Sequence, residues 1–594
     1  MPAQTKTKSE FGRLPRWNLD DLYPGPKSAV LHGDLKRAEK AAAAFHRNHA
    51  GKVEKMGGDA LGAAIAAFEE IDETLDRAMS YAQLLYAANV ADAETGRFYQ
   101  TVQERVTDIS AKLVFFGLEI NRIDDAALAK KLKSKTLAHY ASWIRDMRSF
   151  RPHQLSEDME RLLHDKRVAG RAAWNRLFDE TMAALRFRVG REELTTEQTL
   201  HLLSDSSGVK RKQAAKALGK GLGENVRLFT LITNTLAKDK EIEDRWRSFP
   251  RPESSRNLAN HVEDEVVAAL VAAVKDAYPK LSHRYYRYKA KRMGRKTLDY
   301  WDRNAPLPAA DDRPIPWRDA RRLVLDAYGA FSPDLADVGR RFFDHAWIDA
   351  EARPGKASGA FAHPTVPSAH PYLLLNYMGR ARDVMTLAHE LGHGVHQVLA
   401  GPQGHLKCAT PLTLAETASV FGEMLTFRAL LARQSDPAKR EAMIAGKVED
   451  MLNTVVRQIA FYEFELRVHA ERREGELSSE RIGGIWLDVQ RESLGPAIRF
   501  EEEYSYYWSY IPHFVHSPFY VYAYAFGDCL VNSLYAVYEN AHEGFAARYL
   551  DMLRAGGTLH HRDLLAPFGL DASDPAFWSK GLGVVSGLID ELGA

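Results

Sequence analysis

Apolar residues recur every three or four positions along much of the chain, which is the spacing of one face of an α-helix. The pattern is clearest over residues 61–85, 102–120 and 448–466, where the hydrophobic side chains fall on a single face. Strict alternation of apolar and polar residues, which is typical of half-buried strands, is scarce. The pattern predicts long amphipathic helices and a mainly α fold.

One segment has the pattern of a buried strand. Residues 372–377, which read YLLLNY, are short, apolar and aromatic. They follow an irregular stretch rich in Pro and Gly at 353–371, and a second such stretch with four prolines lies at 304–317. We therefore predict a helical N-terminal domain over residues 1–200 and a larger helical domain with a small sheet over 201–594.

The composition excludes several classes of protein. The 594 residues include 80 basic and 79 acidic side chains, a net charge of +1, which argues against binding to nucleic acid or to an anionic membrane. Two cysteines, Cys408 and Cys529, are too few for a disulfide framework, and they indicate a reducing compartment. No apolar run resembles a secretory signal or reaches the roughly 20 residues of a membrane-spanning helix. We expect a cytoplasmic protein, whose oligomeric state the sequence does not indicate.

Residues 389–393 read HELGH, a spacing that suits a metal site. His389 and His393 are four apart, so on a helix both imidazoles lie on one face and can bind the same zinc ion. Glu390 between them is placed to take a proton from a water molecule whose pKa the metal has lowered. The motif alone is short enough to arise by chance, with the histidines merely solvated.

The surrounding sequence favours the functional interpretation. On a helix the histidines of this segment, including His396, lie on one side, and the apolar residues lie on the opposite side. Asp383 is a suitable cap for the start of the helix, and Gly401 followed by Pro402 is a suitable stop. This arrangement predicts a helix that packs on one side and faces a cleft on the other. His396 is a further possible ligand, although a packing or supporting role suits it better.

A catalytic zinc ion needs a third protein ligand and an open fourth position. Glu416 and Glu423 follow the motif and are seven residues apart, so both lie on one face of a helix. Thr413 and Glu416 also match a capping box, in which Glu416 would only close the start of a helix. The spacing favours Glu416 as the ligand but leaves Glu423 and the capping role open.

These motifs together resemble a known family. The runs DVMTLAHELGHGVH at 383–396 and AETASVFGE at 415–423 resemble the thimet oligopeptidase and oligoendopeptidase F family, on the oligoendopeptidase F side. Further similar segments lie at 300–307, 370–379 and 513–524. The motifs are specific in combination.

The resemblance implies a fold and a metal site. The expected fold is a mainly α, two-lobed helical metallopeptidase with a small β-sheet and a deep central substrate channel. One Zn²⁺ per chain is expected, held by His389, His393 and Glu416. Glu423 would then orient one of the ligands, as the partners of ligating histidines commonly do.

Aromatic residues are concentrated at 504–526, where eleven of 23 positions are Phe, Trp or Tyr. A packed aromatic core is one interpretation. However, a buried Tyr hydroxyl needs a partner, and a donor near the metal can stabilise the oxyanion formed by attack on a peptide carbonyl. The resemblance implies that a His and at least one Tyr have this role. We assign it to His513 and Tyr520, with Tyr522 and Tyr524 as competitors.

The strand candidate at 370–377 also has two interpretations. It is either an ordinary strand of a small sheet or the sheet edge beside the active site. An edge strand pairs with an extended peptide through backbone groups, which predicts broad sequence tolerance. The resemblance favours the edge.

The sequence therefore predicts a zinc-dependent endopeptidase that hydrolyses internal bonds of short, unstructured oligopeptides. In this hypothesis Glu390 activates the water molecule, and His513 and Tyr520 stabilise the oxyanion. One alternative is a metallocarboxypeptidase, which would need a cationic site for the free C-terminal carboxylate. Another is a non-catalytic zinc or peptide-binding protein, although a purely structural zinc site would not need Glu390.

Overall fold

The computed structural model describes residues 11–167, 169–307, 314–357, 359–540 and 543–593, and most of them are helical. The helices of the first half are α1 (Ala29–His49), α2 (Gly58–Ala88), α3 (Ala93–Ser110), α4 (Val114–Arg122), α5 (Asp125–Lys131), α6 (Lys135–Ala138), α7 (Ala141–Arg148), α8 (Glu157–Lys166), α9 (Arg171–Ala184), α10 (Thr196–His201), α11 (Gly208–Glu224), α12 (Val226–Trp246), α13 (Ser254–Ala259), α14 (Asp264–Ala277) and α15 (Ser282–Arg292).

The helices of the second half are α16 (Trp317–Phe331), α17 (Pro333–Asp344), α18 (Ala381–Ala400), α19 (Leu412–Ala415), α20 (Thr417–Arg433), α21 (Pro437–Thr454), α22 (Val456–Glu474), α23 (Ser479–Leu494), α24 (His513–His516), α25 (Tyr522–Asn540), α26 (Phe545–Arg554), α27 (His561–Leu565) and α28 (Pro575–Glu591). Short 3₁₀ turns join several of them. Within the described ranges, no helix is both long and apolar enough to cross a bilayer.

The strands of the described chain are few and short. They are β1 (Phe187–Val189), β2 (Glu192–Leu194), β3 (Leu298–Asp299), β4 (Ile348–Glu351), β5 (Phe361–His363), β6 (Tyr372–Tyr377) and β7 (Ile498–Arg499). The largest sheet has the order β4-β6-β5, with β6 parallel to β4 and antiparallel to β5. The predicted mainly α class with a small sheet is confirmed.

The chain divides into two compact units, each made of three separated segments. Unit 1 comprises Met1–Arg151, Asp312–Arg433 and Ala541–Phe568. Unit 2 comprises Pro152–Asp311, Gln434–Asn540 and Gly569–Ala594. This division is by compactness, and the domain boundary at residue 200 stays a prediction.

The periodic runs mark buried faces better than they mark whole helices. Residues 61–85 lie within α2, as predicted. Residues 102–120, however, are shared by α3 and α4, and residues 448–466 by α21 and α22, with a break at Val455. The spacing of apolar residues shows which face is buried. A short break between two helices does not alter this spacing when both helices bury the same face.

Strand β6 has the limits that the sequence predicts, but its place in the sheet is different. It is the central strand and is buried at five of its six positions, so residues 372–377 are not a free edge. The two edge strands are β4 and β5, and β5 lies in the Pro- and Gly-rich stretch at 353–371 that we predicted to be irregular. At three residues, β5 is too short to give a period-two signal.

A buried ion pair supports this sheet in unit 1. The Lys356 side chain is 0% exposed and that of Asp349 is 1% exposed, and Nζ lies 2.8 Å from Oδ1. Lys356 also donates to the carbonyl oxygens of Glu351 and Leu375. Two nitrogen atoms of Arg353 contact the same Asp349 carboxylate at 2.6 and 2.8 Å. Burial lowers the pKa of Lys356, and Asp349 opposes this effect.

Substitution of Lys356→Met is expected to destabilise the sheet by about 3 kcal/mol, because it removes one of two cations from a buried carboxylate. The free energy of opening of the β6 amides, measured by native-state hydrogen exchange, tests this. Arg16→Ala is the control, since it breaks an ion pair to Glu351 of β4 in which Arg16 is 58% exposed. That loss is expected to stay below about 1 kcal/mol. Equal losses in the two variants would contradict the argument.

Candidate active site

Helix α18 carries the HELGH motif and has the predicted end signals. The Asp383 carboxylate accepts hydrogen bonds from the backbone N–H groups of Met378 and Arg380, both at 2.9 Å. Asp383 therefore caps the start of the helix from its third position. The helix ends at Ala400, with Gly401 as the C-cap.

Three predicted ligands in unit 1 bring their donor atoms together. The Nε2 atom of His389 lies 3.3 Å from Oε2 of Glu416, and Nε2 of His393 lies 3.5 Å from the same oxygen. One donor atom from each residue lies within 4.8 Å of the others. This is the convergence that the sequence predicts for His389, His393 and Glu416.

The donor set fits a zinc ion. Two ligand atoms that are each 2.0–2.1 Å from a tetrahedral centre lie about 3.3 Å apart, close to the separations described above. Two imidazoles and one carboxylate are a donor set of catalytic zinc sites, and three protein ligands leave one position for water or substrate. The residues present are therefore able to hold a catalytic metal.

Glu416 lies at the junction between α19 and α20. The preceding helix begins after Pro411, so Thr413 is not the residue that caps its start. Instead the Glu416 carboxylate accepts a hydrogen bond of 2.6 Å from the Ser419 hydroxyl. This hydrogen bond turns the carboxylate towards the two histidines.

Glu423 contacts the other side of the first histidine. Its Oε2 atom lies 3.2 Å from Nδ1 of His389, while Nε2 of His389 faces Glu416. A hydrogen bond from Nδ1–H to a carboxylate fixes the tautomer that leaves Nε2 free to bind a metal. The geometry therefore suits Glu423 to orienting His389.

Close packing of α18 against α20 makes this arrangement possible. A Cβ atom at Gly392 would collide with the backbone of Ala418 and Ser419, so the helices approach this closely only because residue 392 is glycine. Two tyrosines brace the same pair of helices. The Tyr328 hydroxyl donates to the carbonyl of Ala388 at 2.6 Å, and the Tyr549 hydroxyl donates to the carbonyl of Thr417 at 2.8 Å.

The electrostatic environment shifts the pKa values of the two histidines in opposite directions. Burial lowers the pKa of His389, but its hydrogen bond to Glu423 and the nearby carboxylates outweigh this effect and raise the pKa to about 9. Burial lowers the pKa of His393. Burial also acts to raise the pKa of Glu416, yet the charges of the histidines and the Ser419 hydroxyl hold it below its ordinary value. Glu416 is thus an anion beside two imidazoles, which is what a cation requires.

Glu390 lies in a buried position. Its residue is 8% exposed, and burial raises its pKa to about 7, with the charge of Glu416 adding to the shift and that of His389 opposing it. The backbone N–H of Ala362 on β5 donates a hydrogen bond to this carboxylate. A group with a pKa near 7 can accept and return a proton at neutral pH.

His396 lies outside the ligand group. It is buried at 6% exposure, and burial lowers its pKa to about 4, helped by the charge of His393. A neutral, buried imidazole on this helix suits packing, which is the role that the sequence favours for it.

His513, Tyr520 and Tyr524 form an aromatic group in unit 2. The Nε2 atom of His513 lies 3.3 Å from the Tyr524 hydroxyl, and the rings of His513 and Tyr520 stack with centroids 6.0 Å apart. Burial lowers the pKa of His513, and the charge of Arg457 lowers it further. The Tyr520 hydroxyl makes no hydrogen bond to any described residue, so it is available to another group.

Tyr522 lies in different surroundings from Tyr520. Its residue is 0% exposed, and its hydroxyl accepts a hydrogen bond of 2.9 Å from Nδ2 of Asn260. The backbone just before Tyr520 is held in the left-handed region, with φ at 59° for Phe519, whose N–H donates to the buried Glu465 at 2.8 Å. Because of this constrained turn, Tyr520 and Tyr522 lie in different surroundings.

The loop that follows α18 is anchored to α2. The Leu406 N–H donates to Glu69 at 3.0 Å, and Nε2 of His405 lies 3.2 Å from Asp72 and 3.4 Å from Asp76. Burial lowers the pKa of His405, but the two aspartates outweigh it and raise the pKa to about 10. The loop that leads from one ligand-bearing helix to the other is therefore fixed by charge.

The stability that His405 contributes is expected to fall as the pH rises from about 6.5 to about 10. The folded pKa is raised above the unfolded value, so the contribution is complete below the unfolded pKa of about 6.5 and is lost through the folded pKa. Thermal unfolding of the natural chain and of His405→Gln across this range measures it. The difference between the two is expected to shrink with pH, and a constant difference would contradict the argument.

Three supporting contacts have little or no sequence signal. The amide of Ala362 and the hydroxyl of Tyr328 reach α18 from elements that are distant in sequence. Ser419 is three residues after Glu416, so its contact was accessible to helical spacing, but Ser at this position has many other roles.

Comparison with known proteins finds two family models and several relatives that match this chain. The model of peptidase family M3 matches residues 331–584, and the model named oligopeptidase F matches residues 119–187. Oligopeptidase PepF of Bacillus subtilis is 25% identical, over 96% of this chain and 86% of the relative. An oligoendopeptidase F homolog of Borreliella burgdorferi is 24% identical, over 98% of this chain and 99% of the relative.

Solved structures share the fold. The crystal structure of a Chlamydophila abortus protein matches with a TM-score of 0.83 at 21% identity, covering 96% of this chain and 98% of the other. Oligoendopeptidase-F of Enterococcus faecium matches with a TM-score of 0.71 at 21% identity, covering 95% and 97%. These structural matches show the fold alone. The two family models and the full-length relatives assign the chain: it belongs to peptidase family M3, on the oligoendopeptidase F branch, and is a metalloendopeptidase.

Proposed function

We propose that this peptidase uses one zinc ion to hydrolyse internal bonds of short, unstructured oligopeptides. The observation that carries the proposal is the convergence of His389, His393 and Glu416, with Glu390 on the same helix. A bound zinc ion supplies Lewis acidity, which lowers the pKa of a water molecule and polarises the scissile carbonyl.

The chain's own residues move the protons. Glu390 accepts a proton from the attacking water and later donates it to the leaving amine, since a buried carboxylate with a raised pKa can do both. The Ala362 N–H holds this carboxylate in place. Glu423 fixes the ring of His389.

We assign the stabilisation of the developing negative charge to side chains of the His513 group. We assign His513 and Tyr520 to the oxyanion. The Tyr520 hydroxyl makes no hydrogen bond to a described residue, and the Tyr520 ring stacks on the ring of His513. Tyr524 contacts His513 through its hydroxyl and orients that ring. Tyr522 has no part in the chemistry, since its hydroxyl bonds to Asn260.

Strand β5 is the backbone edge that an extended substrate would pair with. It is one of the two outer strands of the three-stranded sheet, and its Ala362 N–H contacts the Glu390 carboxylate. A peptide paired along β5 therefore passes beside Glu390. Backbone pairing supports broad sequence tolerance.

Digestion of a mixed peptide library, read by mass spectrometry, tests the proposal. Internal cuts at many sequences support the endopeptidase, and removal of one C-terminal residue at a time would support the metallocarboxypeptidase. Absence of cleavage by the zinc-loaded chain would leave the non-catalytic alternative.

Peptides of about 5 to 20 residues are expected to be cleaved much faster than casein. The reacting carbonyl must be held within about 3–3.5 Å of the nucleophile, which the predicted channel allows only for a thin, extended chain. Assays of a fluorogenic peptide and of casein, run side by side, measure the difference. Similar rates on both would rule out a restricted channel.

A further inference from the structure

Unit 2 contains a cavity in addition to its His513 group. The cavity has a volume of about 200 Å³. It is lined by two arginines, Arg303 and Arg457, and by aromatic side chains that include Trp301, Trp486 and Tyr510. A volume of this size is below that of drug-sized ligand pockets and suits one amino-acid residue.

Neither arginine has a carboxylate partner among the residues that the structure describes. The Arg457 guanidinium donates one hydrogen bond, of 3.4 Å, to the neutral hydroxyl of Tyr510, and it lies 4.8 Å from the ring centroid of Phe461. The Arg303 side chain forms no hydrogen bond or ion pair with any described residue. Buried charges in proteins are normally paired.

The two guanidinium groups also repel each other. Burial is the main cause that lowers the pKa of Arg457, and the positive charge of Arg303 lowers it further. Two like charges at one cavity are unfavourable unless an anion lies between them.

The acidic residues nearby are already committed to other cations. Asp302 accepts from Arg211 at 2.6 Å and also contacts Arg295. Glu449 lies 2.6 Å from Lys289. Both carboxylates therefore contact other cations directly, and Glu449 acts on Arg303 only through its charge, without an ion pair.

We propose that this cavity binds the C-terminal residue of a peptide substrate, with its α-carboxylate on Arg303 and Arg457. The planar guanidinium matches a carboxylate through paired hydrogen bonds, and the aromatic walls suit an apolar side chain. Tyr510, which contacts Arg457, is three residues before His513, so the cavity and the proposed substrate-contacting group share one short segment. The inference rests on the proposed function and adds to it a preference for a free C-terminus.

The test compares one peptide as its free acid and as its C-terminal amide. For the natural chain, kcat/KM for internal cleavage is expected to be about 10- to 100-fold higher for the acid, mainly through KM, because a charge-assisted hydrogen bond pair is lost in the amide. Arg457→Met and Arg303→Met are expected to bring the acid-to-amide ratio close to 1. Arg457→Lys keeps the positive charge but loses the paired hydrogen bonds of the planar guanidinium, so it should retain an intermediate acid-to-amide ratio.

The ratio is internal to each variant, so a partial loss of folded enzyme does not change it. Arg481→Met is the matched control in unit 2, because Arg481 is 51% exposed and pairs with Glu471 on the surface. This control is expected to keep the ratio of the natural chain. If the natural chain cleaves acid and amide equally, the carboxylate site is wrong while the proposed function stands.

A binding measurement keeps the inference testable without turnover. Acetyl-phenylalanine is expected to bind the full chain by calorimetry, and its amide is not. Arg457→Met should lose this binding. If acetate or inorganic phosphate competes as well as acetyl-phenylalanine does, the cavity is a simple anion site and the peptide assignment is overturned. Binding with no cleavage of any peptide would contradict the proposed function alone.

Discussion

Substitution of Glu390→Gln is expected to lower kcat by roughly 100- to 10,000-fold while the chain keeps its full metal content. The amide matches the carboxylate in size and leaves His389 and His393 unchanged, but it cannot accept the proton of the attacking water. Because the loss is in the chemical step, KM is expected to change little. Steady-state kinetics on a fluorogenic peptide and metal analysis of the same sample measure both quantities.

A conservative variant separates chemistry from packing. Glu390→Asp keeps a carboxylate with a shorter reach, so it should recover part of the rate lost in Glu390→Gln. Near-normal hydrolysis by fully loaded Glu390→Gln would show that another group accepts the proton. Loss of metal from this variant would show that Glu390 supports the ligands instead.

The second large effect separates the two glutamates of the following helices. Glu416→Ala is expected to abolish tight zinc binding, because it removes the carboxylate shared by the two histidines. Glu423→Ala is expected to weaken zinc affinity by only about 10- to 100-fold, since Glu423 acts through the ring of His389. Titration against a competing chelator gives both constants.

The order of the two effects is the decisive result. If Glu423→Ala loses more affinity than Glu416→Ala, Glu423 is the ligand and the assignment from the sequence is wrong. Ser419→Ala offers a milder check, because it removes only the hydroxyl that turns the Glu416 carboxylate. A small loss of affinity is expected there.

The parts of the site that depend on local geometry were predictable from the sequence. The four-residue spacing of His389 and His393 fixes their shared face, and the end signals at Asp383 and Gly401 fix the limits of the helix. Spacing alone did not choose between ligand and cap for Glu416. In the structure the helix begins after Pro411, so Thr413 does not occupy its cap position, and the ligand role of Glu416 stays a prediction.

The parts that depend on distant segments were not predictable. Strand β5 is three residues long, and only its pairing with β6 makes it a strand. The sheet order then places β4 and β5 at the two edges and residues 372–377 in the centre. Likewise, the arginines at 303 and 457 meet in one cavity although they are far apart in sequence, and neither has a motif that predicts the meeting.

The brace from Tyr549 has a consequence for synthesis. Its hydroxyl bonds to the carbonyl of Thr417, 132 positions earlier in the chain, directly after Glu416. At about 5–20 residues per second, a ribosome needs roughly 7 to 26 seconds to extend the chain over that distance. During this interval the helix that begins at Thr417 lacks the hydrogen bond from Tyr549. The helix that follows Glu416 therefore gains this hydrogen bond only after residue 549 has been synthesised.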